Sequence, residues 1–167
     1  QPDRPAGRGR VLTPPPVKEV ALAAGLPVLQ PENLKAPEFE QELRKFQADL
    51  FVVVAYSILP KNILSVSRLG ALNVHGSLLP KYRGAAPVQR AIAAGETETG
   101  VTVFLLDEQM DHGPVLERRI VPIDIQDTSA TLLEKMQNPG YDALISAIQN
   151  LEAGNPKFLI QEHEQAT

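Results

Sequence analysis

Residues 72–87 read "LNVHGSLLPKYRGAAP", Leu72 to Pro87. An apolar run ends in an asparagine and a histidine two residues apart. A Gly-Ser turn, a proline and a basic aromatic cluster follow, and then "AAPVQRAIAAGE". The stretch predicts a strand ("ALNV"), a loop at its carboxyl end and a helix with Val88, Ala91 and Ile92 inward and Gly95 at its stop. Residues two apart on a strand point to one face, so Asn73 and His75 project together from the strand end.

The same alternation extends both ways. Upstream, "LFVVVAY" is a continuous run of β-formers and predicts a strand buried on both faces of a parallel sheet. "EFEQELRKFQADL" places Phe39, Leu43, Phe46 and Leu50 on one helical face. "VKEVALAAGL" predicts a short helix stopped by Gly25, "PVLQP" a short buried strand, and "PKNILSVSRLG" a short helix and turn. Downstream, "GVTVFLLD" and "GPVLERRIVPI" predict two strands joined by "EQMDH", a connector short enough for antiparallel pairing. "DTSATLLEKM" and "YDALISAIQNLEAG" predict two helices, with Asp127 or Thr128 as N-cap and "NPG" between them. The fold class is therefore α/β: an open, mostly parallel, Rossmann-like sheet with helices on both faces and an antiparallel strand at one side.

The chain has 167 residues, 43% hydrophobic and 22% charged, which suits one domain with one core. No apolar run approaches the ~18 residues of a membrane span. Cysteine is absent, so no disulfide framework or thiolate metal site exists, and three scattered histidines do not make a zinc site. The net charge of −4 leaves no global basic field for nucleic acid. The charge is uneven, however: Arg4, Arg8, Arg10 and Lys18 outnumber Asp3 and Glu19 at the start of the chain. "QPDRPAGRGR" and "TPPP" together read as an exposed loop, because Pro and Gly prevent a helix or central strand.

The chemistry centres on Asn73 and His75. In open α/β sheets ligands bind beyond the carboxyl ends of strands. An amide there can donate to a developing oxyanion, and an imidazole can donate or take a proton. A carboxylate is needed to orient the imidazole. Asp111, in "DEQMDHGP" after the adjacent strand, is the candidate, with Gly113 allowing a tight backbone. Asp107 and Glu108 are rivals whose default is solvent, and His112 reads as a surface loop residue. No G-x-S-x-G elbow and no dinucleotide fingerprint are present.

"NVHGSLLPKYRGAAPVQRAI", with "QPDRPAGRGR" before it and "GVTVFLLDEQMDHGPVL" after it, resembles the methionyl-tRNA formyltransferases. The match runs nearly end to end. The wider folate-dependent formyltransferases share the Asn-x-His…Asp set and "SLLP", while the H-G-S-L-L-P form with R-G-A-A-P is more like the initiator-tRNA enzymes. The resemblance implies transfer of a formyl group from 10-formyltetrahydrofolate to the amine of initiator methionyl-tRNA in translation initiation, without a metal. Asn73, His75 and Asp111 fall on the family's catalytic positions. Asn73 and His75 would stabilise the oxyanion, and Asp111 would orient the imidazole and help move the proton off the amine.

The folate slot would involve Ser77, Leu78, Leu79 and Pro80 together with Tyr56, Ile58 and Leu59. Arg4, Arg8 and Arg10, with Lys81 and Arg83, would meet tRNA phosphates. The implied organisation is a single catalytic domain over 1–167, lacking the family's first strand and helix and its C-terminal β-barrel. The expected protein is a monomer of the bacterial cytoplasm, with an organelle open, and without membrane contact. "AYSILP" is one residue shorter than the family's usual loop. Two alternatives share part of this reading. One is a folate-dependent formyltransferase or formyltetrahydrofolate hydrolase with another acceptor. The other is a folate- or RNA-binding fragment without turnover.

Overall fold

The computed structural model describes residues 3–6, 11–54 and 59–167. Two short strands, β1 (Arg4–Ala6) and β2 (Val11–Thr13), pair antiparallel. The opening segment read as loop therefore holds a small two-stranded ribbon. It forms a sheet separate from the main one. Helix α1 (Pro16–Ala23) follows, with Gly25 just beyond it at φ 68°. "PVLQP" forms no strand, and Leu29 within it is exposed. Prolines bracket the segment and remove two of the N–H groups a ladder would use.

Helix α2 (Pro37–Lys45) ends earlier than its apolar spacing suggests. Phe46 is its C-cap and half-exposed, and Gln47 turns left-handed at φ 50°. The main sheet contains β3 (Phe51–Val54), β4 (Ala71–His75), β5 (Glu98–Leu105) and β6 (Val115–Pro122) in that spatial order. Between them lie α3 (Lys61–Leu64) and α4 (Pro87–Ala93). Only β3–β4 is parallel; β4–β5 and β5–β6 are antiparallel. The sheet is thus mixed, with antiparallel pairing reaching one strand further in than the sequence suggests.

β3 is an edge strand among the described residues, and Val52 and Val54 on one of its faces are exposed. The run of β-formers did not distinguish an edge strand with one covered face from a strand buried on both.

The largest departure is α5 (Ser129–Glu152), a single helix of 24 residues that runs through Pro139. Proline inside a helix costs about 3 kcal/mol. Against this, Leu132, Met136, Gly140, Ala143, Ala147 and Leu151 recur every three or four residues, and all are buried. Burying Leu132, Met136 and Leu151 alone contributes more than the proline costs, at about 1.5–3 kcal/mol each. Gly140 meets Val101 at ordinary van der Waals distance, 3.7 Å from a would-be Cβ, so the helix lies close on the sheet. Thr128 caps α5 in a reciprocal box with Thr131.

β5 divides the interior. Val101 and Val103 pack under α5 with Val121, Leu132 and Ala143. Phe104, on the opposite face, packs with Leu79 and Val115. That second face is covered by the loop after β4 and by the segment after α5, which bridges back through Leu159 to Val115. No described helix is long and apolar enough to cross a membrane.

Candidate active site

Asn73 and His75 leave β4 on one face and are buried, at 8% and 7% exposure. Asp111, at 8%, reaches the same place. Its Oδ2 lies 3.6 Å from His75 Nδ1. All three line one cavity of about 790 Å³, which also takes in Leu59, Gly84 and Met110.

The route of Asp111 differs from the expected one. β5 runs antiparallel to β4, with Leu105 beside Leu72, so the loop after β5 starts at the wrong edge of the sheet. It reaches His75 only by folding back. Asp111 takes the left-handed conformation at φ 49° to do so, a region aspartate tolerates better than most residues. Gly113 contributes closeness, not a positive φ: a Cβ there would fall 1.8 Å from the Leu105 carbonyl oxygen. The base of the loop is pinned by Leu105 N–H donating to Pro114 O at 2.9 Å.

His75 Nε2 lies 2.9 Å from the Tyr82 carbonyl oxygen. A carbonyl can only accept, so Nε2 carries the hydrogen and Nδ1 is the nitrogen that faces Asp111. The Asp111 carboxylate also accepts from Gly84 N–H at 2.7 Å. Tyr82 and Gly84 lie in left-handed turns at φ 57° and 82° within "KYRG". This backbone aims one carbonyl at the imidazole and one N–H at the carboxylate.

The loop after β4 is held from behind. Thr102, fully buried in β5, donates from Oγ1 to Ser77 O at 2.6 Å and accepts from Leu79 N–H at 3.1 Å. Ser77 Oγ donates to Lys81 O at 2.5 Å. Ser77 and Leu79 are buried, Leu78 packs on Gly100, and the peptide before Pro80 is cis. These four residues back the cavity wall, whereas Gly76 and Leu59 line it. Tyr56 and Ile58 lie outside the described residues, as do Arg8 and Arg10; for Arg4 only the backbone is described.

Lys81 is exposed and faces Glu96 at 3.5 Å. Tyr82 O–H donates to the same carboxylate at 2.7 Å, which raises the phenol's pKa and lowers that of Glu96. Arg83, expected at a tRNA surface, instead directs Nη2 inward to Gln161 Oε1 at 2.7 Å and to His163 Nδ1 at 2.8 Å. His112 is not a free loop residue: it contacts Asp107 at 2.6 Å and stacks on His163 with ring centroids 3.9 Å apart. Desolvation, then the charges of His112 and Arg83, lower the pKa of His163, which suits its acceptor role. Glu108 pairs with Lys61 at 2.5 Å.

Sequence reasoning missed Thr102, Gly84 and Gln161. A lone hydroxyl inside "VTVFLL" was a usable signal for Thr102. Gly84 N–H and Gln161 carried none, because both act through long-range contacts.

The arrangement can polarise a carbonyl with the Asn73 amide, move a proton through an imidazole backed by a carboxylate, and shelter a mostly apolar ligand. Comparisons with known proteins agree in kind. Residues 1–148 match the family described as formyl transferase. The chain is 51% identical to a methionyl-tRNA formyltransferase of Desulfotalea psychrophila, over all of this chain and 52% of that protein. It is 48% identical to one from Marinobacter nauticus, over 99% of this chain and 54% of that protein. The chain thus spans about half the length of these curated relatives. Among solved structures, a phosphoribosylglycinamide formyltransferase from Bacillus halodurans superposes with a TM-score of 0.73 at 29% identity, covering 81% of this chain and 74% of that one.

Proposed function

The chain belongs to the formyl transferase family, and on that premise we propose that it transfers a formyl group from 10-formyltetrahydrofolate to the amino group of initiator methionyl-tRNA. The observation that carries the proposal is the buried Asn73–His75–Asp111 set on the wall of one cavity. The relatives' names favour methionyl-tRNA as acceptor.

The residues fit a folate. A cavity of about 790 Å³ is large enough for its pteridine end, and a mainly apolar lining with a few polar groups is what such ligands use. Leu59 stands on that wall, and Tyr56, Ile58 and Leu59 are the residues assigned to folate contact. Ser77, Leu78, Leu79 and Pro80 serve by fixing the wall from behind. Arg4, Arg8, Arg10 and Lys81 contact the tRNA backbone. Arg83 keeps its inward partners.

Attack by the amine nitrogen forms a new C–N bond and makes the formyl carbon tetrahedral. Asn73 donates to the oxygen as it gains charge. The His75 Nε2–H, bonded to Tyr82 O before the ligand arrives, redirects its hydrogen bond to that oxygen and stays on the ring. The proton that leaves the amine passes to the His75–Asp111 pair, whose carboxylate holds the ring from the Nδ1 side. The C–N bond to the folate nitrogen then breaks, and that nitrogen takes the proton back from the pair. The product amine has lost one proton and the folate nitrogen has gained one.

The test is formylation by this chain of methionyl-tRNA, an amino-sugar nucleotide and water in parallel, with one formyl donor. Turnover confined to tRNA, weakened by Arg8→Ala with folate binding intact, supports the proposal. Turnover on another acceptor, or folate binding without turnover on any, refutes it.

A further inference from the structure

Gln161 lies 50 residues from Asp111 in sequence, yet it is buried, at 3% exposure, beside the Asp111 loop. Its side-chain nitrogen donates to Asp111 O at 3.0 Å and to Gly113 O at 2.8 Å. Both N–H groups of one amide thus grip the carbonyls on either side of His112. Its Oε1 accepts from Arg83 Nη2 at 2.7 Å and Nε at 3.3 Å. Guanidinium only donates and carbonyls only accept, so the amide has one orientation.

The placement follows from the backbone. Leu159 and Val115 exchange both N–H···O bonds at 2.8 Å in an antiparallel bridge. Two residues further along one strand and two back along the other, Gln161 stands opposite Gly113. Arg83, in turn, immediately precedes Gly84, whose N–H holds the Asp111 carboxylate. The Gln161 amide therefore ties together the two loops that flank His75, one through Tyr82–Gly84 and one through Asp111–Gly113.

We propose that Gln161 is a positioning residue of the candidate active site, holding the Asp111 carboxylate against His75 through the backbone of the Asp111 loop. It touches neither reactant. Its role arises because Asp111 sits in a left-handed conformation on a loop that must fold back across the sheet. Without a grip on its carbonyls, the carboxylate loses its alignment while the cavity lining stays in place.

The inference rests on the proposed reaction for its kinetic arm and not for its spectroscopic arm. Gln161→Glu keeps the size and the Arg83 contact but replaces two donors with acceptors facing two carbonyls. Gln161→Met keeps the bulk and removes the donors without adding charge. Both are compared with Asp111→Asn in this full chain. The 15N resonance of His75 Nδ1 is expected to move in each Gln161 variant toward its position in Asp111→Asn. In the kinetic arm kcat falls about tenfold or more, as small misplacements of reacting groups do, while KM for the formyl donor changes by less than about threefold. An unmoved Nδ1 resonance in either folded variant overturns the inference whatever the activity. A moved resonance in a chain with no formyl transfer leaves the positioning role standing and removes the proposed reaction. Equal loss in kcat and 1/KM with the resonance unmoved assigns Gln161 to general packing and also overturns it.

Discussion

Thr102→Val removes one oxygen atom and nearly nothing else. Thr102 is fully buried, and its hydroxyl serves two backbone groups of the loop after β4: it donates to Ser77 O at 2.6 Å and accepts from Leu79 N–H at 3.1 Å. Valine has the same shape, so no cavity opens. Each of those two groups loses its Thr102 partner inside the protein, at about 1–3 kcal/mol apiece. The added methyl returns about 1 kcal/mol through apolar burial. The expected net loss is about 1–5 kcal/mol, centred near 3, or roughly 6–12 °C in Tm at that centre for a chain of this size. Thr102→Ser keeps the hydroxyl and loses one buried methyl, so it should cost only about 1 kcal/mol. Urea unfolding of the three proteins, followed by circular dichroism, gives the numbers directly. If Val and Ser cost the same, or Val costs less than about 0.5 kcal/mol, the hydroxyl does not hold the loop and the account of the cavity's backing is wrong.

Gly113→Ala should destabilise by at least about 2 kcal/mol, because its Cβ would fall 1.8 Å from Leu105 O and the hairpin beneath Asp111 would have to open. Gly95→Ala, at φ 69° with nothing within 4 Å, should cost only the left-handed penalty of about 1–2 kcal/mol; thermal melts that rank the two the other way refute the reading. Asp127 has a lowered pKa, chiefly through its hydrogen bond to Lys135 and then through Asp124 N–H and the Thr131 hydroxyl. Its contribution is fully present above the ordinary carboxylate value and disappears as pH falls through the lowered one. Melting temperature should therefore drop less between pH 5 and pH 2 in Asp127→Asn than in the parent chain, and parallel curves would count against it.

What the sequence showed and hid follows from the range of each interaction. Period and caps are local, so α4, β4, β5, β6 and the Thr128 cap were legible within a residue or two. The same local rules broke α5 at Pro139, because the six buried residues that hold it together act through the sheet. They also made β3 too buried, since a strand at the edge of the sheet among the described residues and a central one share the same run of β-formers. At the site, the spacing of Asn73 and His75 was enough to place them together. The expected convergence of Asp111 was correct but its reason was not: the loop doubles back from the opposite sheet edge, which depends on the antiparallel β4–β5 register. Gln161 was illegible altogether, since its partners lie about 50 and 80 residues away.

The most direct measurement is single-turnover formylation of methionyl-tRNA by Asn73→Ala, His75→Ala and the double variant, beside a folate-analogue titration, in a catalytically competent form of the protein. Each group is aimed at charge that exists mainly in the transition state. Each single change should slow turnover on the order of a hundredfold, and the two losses should fail to multiply because both groups serve one oxygen. Folate affinity should change far less, since the ground-state formyl oxygen is nearly neutral. Near-normal turnover in His75→Ala would make the histidine structural. Turnover and folate affinity falling together by one factor would make these residues holders of the ligand and contradict the proposed chemistry.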